Sequence, residues 1–222
     1  MSRRESRKRL IVEGAFDETF FKAMLREAGF GENEIVVGCP TKFGAGGDGK
    51  GNALTRLEDL VPQFLDGSLT HLGIVIDADF PDPSNAGFFA TRVMLDEVMR
   101  RLEYARVQPR GAIGLVYSRT NWPLVNAWIM PDNASDGYLE HWVLSAVSPK
   151  DEALVAHAKT VVRNLPEIRF GEHHVKKAEV ASWLAWQRVP GQPPYSAIGG
   201  ELLDTQSDKF NSLVDWLKQS FQ

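Results

Sequence analysis

Three acidic residues, far apart along the chain, stand where buried-type apolar runs stop. Glu13 follows Leu10-Ile11-Val12, and Asp77 and Asp79 follow Leu72-Gly73-Ile74-Val75-Ile76. In open α/β sheets ligands gather outside the carboxyl ends of the strands, so acids at those ends are placed for chemistry. Residues two apart in an extended segment face the same side, so Asp77 and Asp79 can share a ligand if strand geometry persists to Asp79. Clustered carboxylates repel one another and cost desolvation energy. A divalent cation offsets both, and hard oxygen donors suit Mg²⁺ or Mn²⁺. Asp17, four residues past Glu13, can join the cluster or serve as N-cap of the first helix. A lone acid at a strand end is often only a turn residue. Acids after two separate buried strands favour the metal reading.

The elements that must position these acids follow from apolar spacing. Leu10–Val12, Ile35–Val37, Leu72–Ile76, Ala112–Val116 and Val125–Met130 read as strands. Helices are expected over Phe20–Ala28, from an Asn52 N-cap to Phe64, over Ala86–Tyr104, and over Gly137–Val147. Strands that alternate with helices and are apolar without interruption imply a mostly parallel sheet covered on both faces. After Pro149 the pattern is helical at 150–164, 174–187 and 207–221, with a Pro/Gly loop from Val189 to Gly200. The expected organisation is an α/β core over 1–148, TOPRIM/Rossmann-like in layout, and a helical lobe over 149–222 packed on it.

Composition narrows the function classes. Of 222 residues 43% are hydrophobic and 24% charged, enough apolar matter for a sizeable core. A net charge of −4 excludes a wholesale basic coat for nucleic acid, although not a local patch. The single cysteine, Cys39, excludes an internal disulfide and a multi-thiolate zinc site, which suits the cytoplasm. The basic start, Met1 to Arg9, lacks the apolar stretch of a signal peptide, and no run is long enough for a membrane span. This arm reads as a solvated tail in preference to a phosphate contact.

The segments Leu10-Ile11-Val12-Glu13-Gly14 and Ile74-Val75-Ile76-Asp77-Ala78-Asp79 resemble the TOPRIM domain. That domain is shared by topoisomerases, bacterial primases, small maturases of 5S ribosomal RNA and the overcoming-lysogenization-defect (OLD) nucleases. The likeness spans residues 9–147. The whole chain resembles a family of small TOPRIM-related bacterial and archaeal proteins, through Trp128-Ile129-Met130-Pro131-Asp132-Asn133, Gly137-Tyr138-Leu139-Glu140 and Lys177-Ala178 before Ser182-Trp183-Leu184-Ala185. The resemblance implies metal-dependent phosphodiester chemistry on DNA or RNA, with Glu13 as general acid/base or metal ligand and Asp77 and Asp79 holding Mg²⁺. Glu13 and Asp17 match the Glu-x-x-x-Asp motif of the OLD nucleases. Glu140 matches the glutamate of their later Ser-x-Glu, where Tyr138 replaces the serine and departs from the pattern of a second metal site. Lys176 or Lys177, with Lys177 preferred, would supply their lysine. The chain is too short for a topoisomerase or a complete primase, and the OLD analogy implies a separate ABC-type ATPase as partner.

Other motifs compete. Gly44 to Gly51 holds five glycines and nearly fits a Walker A loop, but Gly51 replaces the hydroxyl residue that would hold Mg²⁺. A loop over a substrate phosphate, with Lys42, Gly47 and Lys50 as contacts, is the better reading. Aspartyl-phosphate phosphatases also carry Asp-x-Asp, but Pro81 stands where they would have a threonine. Nucleotide-sugar transferases need no upstream Glu. His173-His174 lacks a third soft ligand, and the tryptophans are assigned to packing. The expected function is therefore a Mg²⁺- or Mn²⁺-dependent nuclease. The alternatives are a non-catalytic module of an ATPase system and a small-molecule phosphotransfer enzyme.

Overall fold

The computed structural model describes residues 6–44, 46–81, 87–199 and 201–222. The first five residues of the basic arm, Ala45 of the glycine loop, the expected helix start at Ala86 and the loop end at Gly200 lie outside the described residues.

Among the described residues the strands are β1 (Lys8–Ile11), β2 (Val36–Gly38), β3 (His71–Asp77), β4 (Ala105–Val107), β5 (Leu115–Ser118) and β6 (Val125–Met130). They form one sheet in the order β2-β1-β3-β6-β5-β4. The first four are parallel neighbours, and β5 and β4 add antiparallel at one edge. The helices are α1 (Ala15–Glu27), α2 (Lys50–Leu60), α3 (Gly87–Arg101), α4 (Leu139–Ser145), α5 (Glu152–Arg163), α6 (Val175–Ala185), α7 (Ser196–Gly199) and α8 (Asp208–Phe221). The α/β architecture with a mostly parallel sheet is as the sequence pattern implies. No described helix is long and apolar enough to cross a membrane.

Side chains of one strand alternate between two cores, because successive Cβ atoms point to opposite faces. Leu72, Ile74 and Ile76 of β3 and Val125, Ala127 and Ile129 of β6 meet Leu54 and Leu57 of α2 and Leu95 and Met99 of α3. Val75, Trp128 and Met130 enter the other core with α1, α4, α5, α6 and α8. Trp216 of α8 packs on Trp128 with ring centroids 5.7 Å apart. A Cβ on Gly73 would come within 3.0 Å of Phe221. The C-terminal helices therefore cover one face of the sheet and share its core, and among the described residues no separate core forms beyond residue 148.

Several expected boundaries move for local reasons. The strand expected at Ala112–Val116 begins at Leu115, because Gly111 and Gly114 adopt positive φ of 77° and 76° and break the extended backbone before it. The helix expected to run to Tyr104 stops at Arg101, and exposed β4 follows at the sheet edge. The second helix starts after Gly49, whose φ of 109° suits glycine, and not after Asn52. The Asn52 amide instead donates to the Gly47 carbonyl at 3.0 Å. The N-cap of α1 is Gly14, not Asp17. Asp17 stands at the third helical position, where its carboxylate accepts from the Gly14 N–H at 3.0 Å. The loop after Val189 contains the short helix α7.

Candidate functional site

Parallel register brings the strand-end acids together. Ile11 is aligned with Ile74, so two residues further on Glu13 reaches the level where β3 ends in Asp77. Glu13 Oε1 accepts from the Asp77 backbone N–H at 2.8 Å. Asp77 Oδ1 in turn accepts from the Leu139 N–H at 3.2 Å, at the start of α4. The N-terminus of a helix carries unpaired amides and partial positive charge, which is where a carboxylate is stabilised. The backbone N–H of Gly49 donates to the Glu13 carbonyl at 2.9 Å and ties the glycine loop to the same point.

These elements border a cleft of about 850 Å³ whose charged lining includes Glu13, Asp17, Asp77, Glu140 and Lys177. The acids raise one another's proton affinity. Burial, opposed by the Asp77 amide and by Lys50, pushes Glu13 up from 4.5 to about 7. Burial pushes Asp17 up from 3.8 to about 6, with Glu140 adding repulsion and Lys177 relieving part of it. Asp77 is raised well above the usual carboxylate range by burial first and then by Glu13, Asp17, Asp79 and Glu140. Burial also raises Glu140, and Lys177 opposes it. Such values follow when carboxylates crowd without enough countercharge.

Asp79 departs from the expected geometry. The strand ends at Asp77, and Asp79 adopts a left-handed φ of 62°, held by a two-way backbone pairing with Gly137. Its carboxylate is not beside that of Asp77 on a continued strand. It accepts from the Lys50 ammonium at 2.6 Å. Lys50 also donates to the Ala78 carbonyl at 3.2 Å and the Thr91 hydroxyl at 3.1 Å, so its ammonium is engaged inside the acidic site and is not held out for a phosphate. Thr91 is 1% exposed and donates to the same carbonyl. It was not legible as a site residue, since a threonine inside a helix carries no spacing signal. Lys42 is not at the cleft, because Glu18 and the Val37 carbonyl hold its ammonium, each at 2.8 Å. Gly47 is a loop residue outside the cleft lining, and only Asp48 and Gly49 of the glycine loop reach it. Lys176 pairs with Glu179, which leaves Lys177 as the lysine facing Asp17 and Glu140.

Asp77 and Asp79 meet again in a recess of about 280 Å³ beside the cleft, with Phe80, Tyr138 and the His173-His174 pair on its walls. Lys177 reaches this side too, its ammonium 5.5 Å from the centre of the Tyr138 ring. The donor chemistry fits a hard divalent cation, since the acids at this rim outnumber the lysines among them. The side chains as they stand are turned to backbone amides and to Lys50. Among the described residues no group of three or more His, Cys, Asp or Glu side chains is arranged to hold a metal ion.

The family model described as "Protein of unknown function (DUF3226)" matches residues 7–222, and the chain belongs to that family. No curated protein matches the chain, and no solved structure does.

Proposed function

From this cleft and the TOPRIM likeness of the sequence, we propose that the protein is a divalent-metal-dependent phosphodiesterase that cleaves nucleic acid in the cytoplasm. The observation that carries the reading is the meeting of Glu13, Asp17, Asp77 and Glu140 with Lys177 around one cleft at the carboxyl ends of parallel strands. Structural need does not account for so many half-buried or buried acids in one place, because each costs desolvation energy that a neutral residue would avoid. Glu13, Asp77 and Asp79 would hold Mg²⁺ or Mn²⁺ after turning from the Asp77 and Leu139 amides and from Lys50, with Asp17 and Glu140 also lining the cleft. A cation held there supplies an activated water and neutralises charge on the phosphoryl oxygens. Glu13 would take part through the carboxylate oxygen that does not accept the Asp77 amide, either as a ligand of the cation or as the group that accepts and returns a proton. Lys177 is placed to offset negative charge as it develops on a phosphate. The tests are incubation with supercoiled plasmid, single-stranded DNA and structured RNA, with and without Mn²⁺. Cleavage that needs metal and is lost in Glu13→Ala and Asp77→Asn is the expected result. Cleavage that survives Glu13→Ala would reject the assignment.

One observation favours a second reading. Lys50 already neutralises Asp79, as it would in a non-catalytic module whose partner, by the TOPRIM likeness, is an ABC-type ATPase. Calorimetric titration separates the two, because the module reading expects no Mn²⁺ uptake at millimolar metal.

A further inference from the structure

The recess beside Asp77 and Asp79 is walled by rings. Phe80 follows Asp79 directly and leaves 43% of its surface in solvent. Its ring meets Tyr138 and His141 edge-on, at centroid distances of 6.2 and 5.1 Å. His173 and His174 also line this recess, their rings tilted by 54° with centroids 4.1 Å apart. A second recess of about 500 Å³ shares Phe80, Tyr138 and His173 with the first and adds His141, Glu172, Val175 and Lys176. The first recess therefore holds two carboxylates, and the second is mostly aromatic and imidazole, with one carboxylate, Glu172, and one aliphatic side chain; Lys177 borders the first and Lys176 the second.

A ligand that matches this order has an anionic group near Asp77 and a flat π-face a short covalent distance away. A nucleotide has both. Aliphatic lipid tails and peptide side chains find little to pack on, whereas every nucleobase presents a face to an exposed ring. In a duplex those faces are covered by stacking, and exposing one costs free energy that a single strand does not pay. Resting on the phosphodiesterase reading above, we infer that Phe80, backed by Tyr138, His141 and His173, is a stacking platform for one unpaired nucleobase. The site accordingly takes single-stranded in preference to duplex nucleic acid.

The test uses the full chain and oligonucleotides of one sequence as single-stranded DNA, single-stranded RNA and duplex, with 2-aminopurine placed at successive positions. Binding is read by anisotropy and by 2-aminopurine emission, and Mn²⁺ uptake by calorimetry. Expected are at least tenfold tighter binding of a single strand than of duplex, and emission quenched at one position. Phe80→Ala should lose about tenfold in affinity and that quenching, and Phe80→Trp should keep both, as expected for one stacked base. Mn²⁺ uptake should be the same in all three proteins. Equal affinity for duplex, or a Phe80→Ala protein that binds and quenches like wild type, overturns the platform. If Mn²⁺ uptake is intact in that outcome, the metal reading survives it. A wild-type protein that takes up Mn²⁺ and binds no oligonucleotide overturns the platform as well. Absence of both overturns the platform together with the reading it rests on.

Discussion

Glu13→Gln is the most informative single perturbation of this cleft, because it removes a charge and keeps the shape. The glutamine that replaces Glu13 can still accept from the Asp77 N–H through its amide oxygen. The folded protein holds the Glu13 proton up to about pH 7, against an ordinary 4.5. A carboxylate whose folded pKa is raised contributes its stability at low pH and loses it as pH rises through that interval. At about 1.4 kcal/mol per pH unit the full loss is about 3 kcal/mol, of which about 2–3 kcal/mol falls between pH 5 and pH 8. The wild-type curve alone blurs this loss. Burial and Lys176 lower His141 from 6.5 to about 4, so that group makes the protein more stable as pH rises between those values. The variant keeps His141, and the difference between the two proteins cancels it. Wild type and Glu13→Gln should therefore melt together near pH 5. At pH 8 the variant should melt about 5–10 °C higher, from the usual 2–4 °C per kcal/mol in a chain of this size. Millimolar Mn²⁺ should then raise the melting temperature of wild type at pH 8 and leave the variant nearly unmoved, since a ligand stabilises only the form that binds it. Melting temperatures that stay parallel from pH 5 to pH 8 would refute the electrostatic reasoning. A Mn²⁺ shift equal in both proteins would refute the role of Glu13 in holding metal.

Two further outcomes follow from other contacts. Lys50→Met removes the only partner found for the Asp79 carboxylate among the described residues. The pair is 2.6 Å apart and Asp79 is about a third exposed, so solvent screening reduces the loss of stability to about 1–2 kcal/mol. The same change should tighten Mn²⁺ by about tenfold or more in calorimetry, because the cation no longer competes with an ammonium; weaker Mn²⁺ binding would make Lys50 a supporting group instead. Gly114→Ala should cost about 3 kcal/mol in urea unfolding, since a Cβ at its φ of 76° would lie 2.7 Å from Trp216 and 2.8 Å from the Ala127 carbonyl oxygen. A loss under about 1 kcal/mol would mean that α8 can shift away from the sheet.

The parallel core was legible because β3 and β6 are buried on both faces and so read as unbroken apolar runs. Strand β4 was not, since three exposed residues, Ala105-Arg106-Val107, are too short a run for their alternation to stand out. At the site, the positions of Glu13 and Asp77 could be read from where apolar runs end, but their contact depends on strand register, which no local pattern encodes. The error at Asp79 has a different cause. The sequence rule of two residues per face holds only while the strand continues, and the pairing of Asp79 with Gly137 ends it. Lys50 was visible as a lysine in a glycine-rich loop, a setting that suggests phosphate equally well. Its true partner, 29 residues away, became evident only when α2 was placed against β3.

The arrangement as a whole is hard to explain by folding alone. Asp79 sits in a left-handed conformation that costs a non-glycine residue about a kcal/mol or more. Asp77 and Glu13 are half-buried where Asn and Gln would accept the same amide hydrogen bonds without repelling each other. Lys50 relieves only part of this, at Asp79 and at Glu13, and Lys177 relieves part of it at Asp17 and Glu140. Local conflicts of this kind, set in an otherwise consistent core, are where function is expected to override stability. What the conflict lacks is positive charge, and the cleft of about 850 Å³ leaves room for it. A ligand that brings that charge converts the repulsion among Glu13, Asp17, Asp77 and Glu140 into binding energy, which is why Mn²⁺ uptake, measured as stability at pH 8, is the more direct probe of this cleft than turnover of any one substrate.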